Sequence, residues 1–409
     1  MAILHRTVKL SALMPRYTQR FRCTGSACED TCCIGWSVHI DKKTYKAYRN
    51  QSHPEIQPVV ALIRRLDKPV NDSRFAVLPL AETGYCPAQK EGMCTVHATL
   101  GESFLSDTCQ NYPRVNRQVN GQPEQSLSLS CSEAARLALL DANAFEFLEV
   151  PVEVREGTLA RTDTGDSGSA ALINDVRIFC MNLMRTRELP IWQRVALLGV
   201  FCDALERNRL SGAPVAVAAI IDDLVRAIES GELTTALDRV QPDHDAQAQV
   251  FATLWGIKVF AANTAFQETL TQRIATGLGA DAHGQVSAAA LASAYRRGLA
   301  RLDQTLESVP WFLENYLLNE IFSQMFPFEG GNTYNAYLRL VARFGLVRLL
   351  LAAQCNVEDD RPLLPTLVST VALQCRRFQH DASFTENVNH SLRASEWRDL
   401  AKLHTLIRA

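Results

Sequence analysis

Eight of the twelve cysteines in this 409-residue chain fall early: Cys23, Cys28, Cys32, Cys33, Cys86, Cys94, Cys109 and Cys131. Thiolate sulfur is a soft donor suited to zinc and to iron-sulfur clusters, and thiols a few residues apart can meet at one point without closing a long loop. The first expectation is therefore a metal centre. Zinc fingers favour C-x2-C pairs, and none occurs in the chain. The run Cys23-x4-Cys28-x3-Cys32-Cys33 instead has the irregular spacing that iron-sulfur proteins tolerate, so iron-sulfur is the preferred reading. Neighbours in extended backbone point to opposite sides, so Cys32 and Cys33 are not expected to bind one iron. His97, three residues after Cys94, is either an additional ligand or an ordinary hydrogen-bonded histidine. Cys180, Cys202, Cys355 and Cys375 stand alone on helical faces and read as buried small apolar groups.

A second constellation lies in Trp311–Phe328. On a helix Phe312, Tyr316 and Glu320 share one face, with Asn315 and Asn319 on a neighbouring one. Buried Asn, Tyr and Glu are costly unless they are paired or bind something, so this face is either a hydrogen-bonded network or a pocket wall. No G-x-G-x-x-G follows a strand and no G-x-x-x-x-G-K-[ST] occurs, which leaves a dinucleotide fold and a phosphate loop without support. The C-x3-C-x2-C arrangement of radical enzymes is absent too, and no hydrolase signature stands out.

The elements that must position these groups divide the chain. Up to about residue 157 the text is irregular: a short strand at Val38–Ile40, a helix from Lys42 to Asn50, prolines at 54, 58, 69 and 79, a helical piece from Leu100 to Leu105, and alternation over Gln125–Ser130 that delivers Cys131 to a helix start. Thr158–Ala170 is rich in turn residues and reads as a linker. From Ala171 onward, stretches such as Ile173–Arg187, Pro190–Arg209, Val215–Ser230, Gln247–Gly277, Val286–Val309, Trp311–Phe326 and Thr333–Gln354 carry apolar residues at helical spacing. The expected architecture is mainly α: a cysteine-rich domain over 1–157 with short strands, then an all-helical domain over 171–409.

Composition narrows the function. With 47% hydrophobic and 21% charged residues and a formal net charge of -2, the chain is globular and lacks the basic excess of a nucleic-acid binder. Residues 1–50 hold nine Lys and Arg against three acids, which is either a solvated face or compensation for an anionic cluster. Arg6 and Lys9 interrupt the start, so a signal peptide is not expected, and no apolar run is long enough for a transmembrane segment. A cytoplasmic protein is expected, where disulfides do not serve as scaffolding.

The combination Cys23-x4-Cys28-x3-Cys32-Cys33-x-Gly35-Trp36, Tyr85-Cys86-Pro87, Gly92-x-Cys94-x2-His97, Leu105-Ser106-Asp107-Thr108-Cys109-x2-Tyr112-Pro113-Arg114, Ser128-Leu129-Ser130-Cys131-x-Glu133-Ala134-Ala135-Arg136 and Glu314-Asn315-Tyr316-Leu317 with Phe326-Pro327-Phe328 resembles the flagellin lysine-N-methylase family. The first half also resembles small proteins described as zinc- or iron-chelating. The methylase resemblance implies methyl transfer from S-adenosylmethionine to lysine side chains of flagellin in the cytoplasm, with a [4Fe-4S] cluster held by the cysteine-rich stretch. A lysine ammonium has no lone pair and must shed its proton before attacking a sulfonium methyl, which makes Tyr316, Glu314 and Glu320 the expected pocket groups. The competing readings are a non-enzymatic chelator or cluster carrier and a zinc-stabilised adaptor. A chelator would have no use for the long helical domain.

Overall fold

The structure is a computed structural model that describes residues 5–69, 71–162, 167–211, 217–256, 264–328, 332–379, 388 and 399–408. The chain forms two compact units. The first comprises Met1–Leu137, Glu146–Asp163 and Ala262–Glu268, and the second Ala138–Phe145, Thr164–Ala261 and Thr269–Ala409.

The first unit is built on a five-stranded sheet whose central strand overlaps the alternation over Gln125–Ser130. Strands β1 (Thr7–Pro15), β2 (Val38–Ile40), β3 (Arg64–Arg65), β4 (Ala76–Leu78), β5 (Gln89–Lys90), β6 (Met93–Cys94), β7 (Arg114–Val119), β8 (Gln122–Leu127), β9 (Phe147–Arg155) and β10 (Ala160–Thr162) follow in chain order. The large sheet runs β10-β7-β8-β1-β9. In β1 Val8, Leu10, Ala12 and Met14 share one face, with Lys9, Ser11 and Leu13 on the other; Ala12 and Met14 are buried. It pairs antiparallel with β9 over its full length, from Thr7 opposite Arg155 to Pro15 opposite Phe147. Pro151 lies within β9 opposite Ser11, and β9 is an edge strand, the place in a sheet where proline is tolerated. Asn120 and Gly121 join β7 to β8 with φ of 46° and 86°, the left-handed pair that a two-residue hairpin turn requires.

Short helices α1 (Arg16–Arg20), α2 (Lys42–Arg49), α3 (Gln57–Leu62), α4 (Thr95–Leu100), α5 (Asp107–Asn111) and α6 (Ser132–Leu139) accompany the strands. The proline-punctuated section is more regular than expected, because β2, β4 and β3 form a second, three-stranded sheet. An apolar cluster that includes Val38, Ile40, Tyr48, Val60 and Leu78 lies under it, and Cys33, Cys86, Cys94 and Cys109 pack into that cluster.

The second unit is helical: α7 (Ser167–Met184), α8 (Ile191–Leu210), α9 (Val217–Glu229), α10 (Glu232–Asp238), α11 (His244–Gly256), α12 (Ala265–Gly277, whose first turn belongs to the first unit), α13 (Ala288–Leu306), α14 (Phe312–Ser323), α15 (Thr333–Cys355), α16 (Leu363–Phe378) and α17 (Leu400–Ile407). Helix α15 is its axis, with every side chain from Asn335 to Cys355 buried. Neighbours approach it through glycine: a Cβ at Gly298 of α13 would run into the Ala352 carbonyl, and one at Gly277 of α12 into that of Ala353. Gly298→Ala should therefore cost about 1–3 kcal/mol by overpacking, read as a lower thermal midpoint.

The expected linker is only partly one. Ala160–Thr162 pairs in parallel with Arg117–Val119, and α7 begins at Ser167; residues 163–166 of the expected linker lie outside the described residues. No helix among the described residues is long and apolar enough to cross a membrane.

Candidate functional site

The early cysteines are carried on loops that zip together. Cys86 donates its N–H to the Cys33 carbonyl at 2.8 Å, Gly35 donates to the Gly84 carbonyl at 3.0 Å, and Ile34 bridges Tyr85, so the Cys32-Cys33-x-Gly35-Trp36 motif lies antiparallel to Gly84-Tyr85-Cys86-Pro87. Gly35 has φ 83°, which lets the chain turn so that Trp36 Nε1 donates to the Cys32 carbonyl at 2.8 Å. The Cys23–Cys28 loop rests on the β5–β6 hairpin: a Cβ at Gly92 would touch Ser26, and one at Gly25 would press on Met93 Sδ.

Cys94 and Cys131 precede helices α4 and α6, and backbone N–H groups meet their sulfurs: those of His97 and Val96 reach Cys94, and those of Ala134 and Glu133 reach Cys131. The N–H of Ala88 reaches Cys86 in the same way. Such bonds favour thiolate and are a usual feature of iron-sulfur ligation. Cys109 stands on α5, whose cap Ser106 accepts the Cys109 N–H.

Cys32 is the common neighbour. A charge on it raises Cys28, Cys86, Cys94, Cys109 and Cys131 alike, although burial is the larger cause in every case and pushes Cys109 and Cys131 up to about 12. Cys86, Cys94, Cys109 and Cys32 are mutually coupled, while Cys28 and Cys131 approach Cys32 as a second group. Cys23 is exposed. Among the described residues no three cysteine sulfurs lie within 4.8 Å of one another. Soft thiolates carried on converging loops fit a zinc ion or an iron-sulfur cluster by donor chemistry. The contact His97 makes to Cys94 comes from its backbone N–H.

The described groups of His, Cys, Asp and Glu that come within 4.8 Å include buried His5 and Asp41 with half-buried Asp107, a set that sequence reasoning missed. His5 Nε2 lies 3.1 Å from Asp41, Thr44 donates its N–H and hydroxyl to Asp41, and Arg155 donates to Asp107 at 3.1 Å. Burial pushes the Asp41 carboxyl up, but the bonds from His5, Thr44 and the Asp107 N–H outweigh it and hold it well below the usual carboxylate range. With its carboxylates already bonded, the set ties the N-terminal segment to α2 and to the helix that carries Cys109.

On α14 the three expected pocket groups turn inward. Glu314, 2% exposed, takes a bidentate bond from Arg187 and a 2.7 Å bond from Arg194. Glu320, also 2% exposed, takes Arg343 at 3.0 Å and Gln379 at 3.4 Å. The Tyr316 hydroxyl is fully buried with no hydrogen-bond partner among the described residues. Burial pushes the Tyr316 phenol well above its ordinary value, and Glu320 adds to that. Asn315 donates to the carbonyls of Ala138 and Asp141, which draws Ala138–Phe145 into the helical unit. The network reading of this face thus fits the geometry better than the pocket reading. Cys180, Cys202, Cys355 and Cys375 are all buried. An open depression of about 480 Å³ lined by Gln241–Asp245, Arg296 and Thr405 holds none of these groups.

Comparison with known proteins gives the class. Residues 177–406 match the model of the FliB lysine N-methylase C-terminal domain, more than half of the chain. The chain therefore belongs to the FliB lysine N-methylase family, the flagellin lysine-N-methylases, and is a protein-lysine N-methyltransferase. It is 24% identical over 415 residues to the lysine-N-methylase of Salmonella typhimurium, covering 97% of this chain and 99% of that one, and equally similar to the lysine-N-methylase of Salmonella choleraesuis. Over 159 residues it is 31% identical to the flagellar biosynthetic protein FliU of Salmonella muenchen, covering 37% of this chain and 91% of that one. No solved structure matches it.

Proposed function

We propose that the protein methylates lysine side chains of flagellin in the cytoplasm, with S-adenosylmethionine as donor and a [4Fe-4S] cluster held by the cysteine stretch. The observation that carries the cluster is the convergence on Cys32 of thiols from separate loops, Cys86, Cys94 and Cys109, with the Cys86 N–H bonded to the Cys33 carbonyl. Cys32, Cys86, Cys94 and Cys109 are the thiols that would hold it. When bound, the cluster supplies an anionic four-point anchor that cross-links the loops, and electron-transfer capacity that a polar methyl transfer does not use. Flagellin as substrate rests on the resemblance and on the flagellar name of one relative.

In the transfer, the neutral lysine nitrogen forms the C–N bond as the C–S bond of the sulfonium breaks; the ammonium proton goes to solvent and S-adenosylhomocysteine leaves. Glu314, Tyr316 and Glu320 build the helical core and do not act as the base. Tyr316→Phe removes an unpaired buried hydroxyl, so the thermal midpoint should hold or rise and turnover should stay within about threefold of wild type. A loss on the order of a hundredfold would instead place the phenol in proton transfer.

The test is anaerobic incubation of the protein with methyl-labelled S-adenosylmethionine and purified flagellin. Acid-stable label on flagellin lysines is expected. No label from protein with its cluster intact would overturn the assignment of flagellin as substrate.

A further inference from the structure

The cysteine loops are not completed by the first half of the chain alone. Between Cys28 and Cys32 stands Asp30, 3% exposed, whose backbone carbonyl accepts the Cys28 Sγ–H at 3.4 Å. Its carboxylate accepts from Gln267 Nε2 at 2.9 Å, across 237 residues of sequence. Gln267 is itself 3% exposed and sits in the first turn of α12, where its N–H is capped by the Thr264 hydroxyl at 3.0 Å. Residues 262–268 belong to the first unit although their neighbours in sequence on both sides belong to the second.

A buried carboxylate beside thiolates is placed against charge repulsion and desolvation, and holds its position only if donors face it. Gln267 is such a donor and adds no charge. Were it lost, Asp30 would gain by moving toward water, and the short loop would carry Cys28 and Cys32 with it. Outer groups that orient ligands in this way are worth roughly 10–100-fold in metal affinity when removed.

We propose that Gln267 is a positioning residue for the thiol centre, acting through Asp30 to hold the Cys28–Cys32 loop in its ligating register. This rests on the cluster reading above.

The experiment measures iron release to a ferrous chelator, with the electron paramagnetic resonance spectrum of the dithionite-reduced protein, in anaerobically purified full-length variants. Gln267→Glu sets two carboxylates face to face and should speed iron release by about tenfold or more and alter the spectrum. Adding Asp30→Asn restores the hydrogen bond with its polarity reversed and should return release to within about threefold of wild type. A Gln267→Glu protein that matches wild type, or a double variant no better than the single one, overturns the proposal, including where the single variant folds poorly. Wild-type protein without iron would overturn the cluster reading itself, a result distinct from either.

Discussion

Cys32→Ser should leave the anaerobically purified protein with at least about tenfold less iron than wild type, while Cys23→Ser should stay near wild type. The contrast follows from position. Cys32 is the thiol whose charge reaches Cys28, Cys86, Cys94, Cys109 and Cys131, and its backbone is fixed by Trp36 on one side and by the Cys33–Cys86 bond on the other. Cys23 is exposed at the start of the loop. A serine hydroxyl is a hard, weakly acidic donor and does not replace thiolate on iron. Iron quantified per chain for the two variants side by side checks the expectation; equal losses would mean that position within the stretch does not decide ligation.

Glu314→Ala should be among the most damaging single changes in the helical unit. It leaves Arg194, only 8% exposed, without its carboxylate, and removing one partner of a buried ion pair costs about 3–5 kcal/mol. For a unit of this size that is a fall on the order of 10 °C in the thermal midpoint followed by helical circular dichroism. Arg187→Ala, on the same carboxylate, should cost no more than about 1 kcal/mol, because Arg187 is 58% exposed. Below its melting transition the Glu314→Ala protein should still transfer methyl groups. Loss of turnover with unchanged stability would return Glu314 to the reaction.

The helical half was legible because its apolar residues repeat at a period that any one helix displays locally. Expected Pro190–Arg209, for example, is α8 over Ile191–Leu210. The large sheet was harder, since β1 finds β9 some 140 residues later and alternation in one short run does not name its partner. One local signal did exist: Asn120-Gly121 marks the β7–β8 hairpin. At the site, the eight thiols were legible by type, but the joining of their loops rests on a pairing, Cys33 with Cys86, that no spacing rule encodes. Glu314 shows the opposite case: its charge on an apolar helix was legible, but its partners Arg187 and Arg194, 127 and 120 residues earlier, were not. Gln267 carried no sequence signal at all.

The most direct test of the central claim is iron, zinc and acid-labile sulfide analysis of the wild-type chain purified without oxygen. Iron and sulfide in equal amounts, about four of each per chain, with a broad visible absorbance bleached by dithionite, is the expected result. A colourless protein carrying stoichiometric zinc and no sulfide would contradict it.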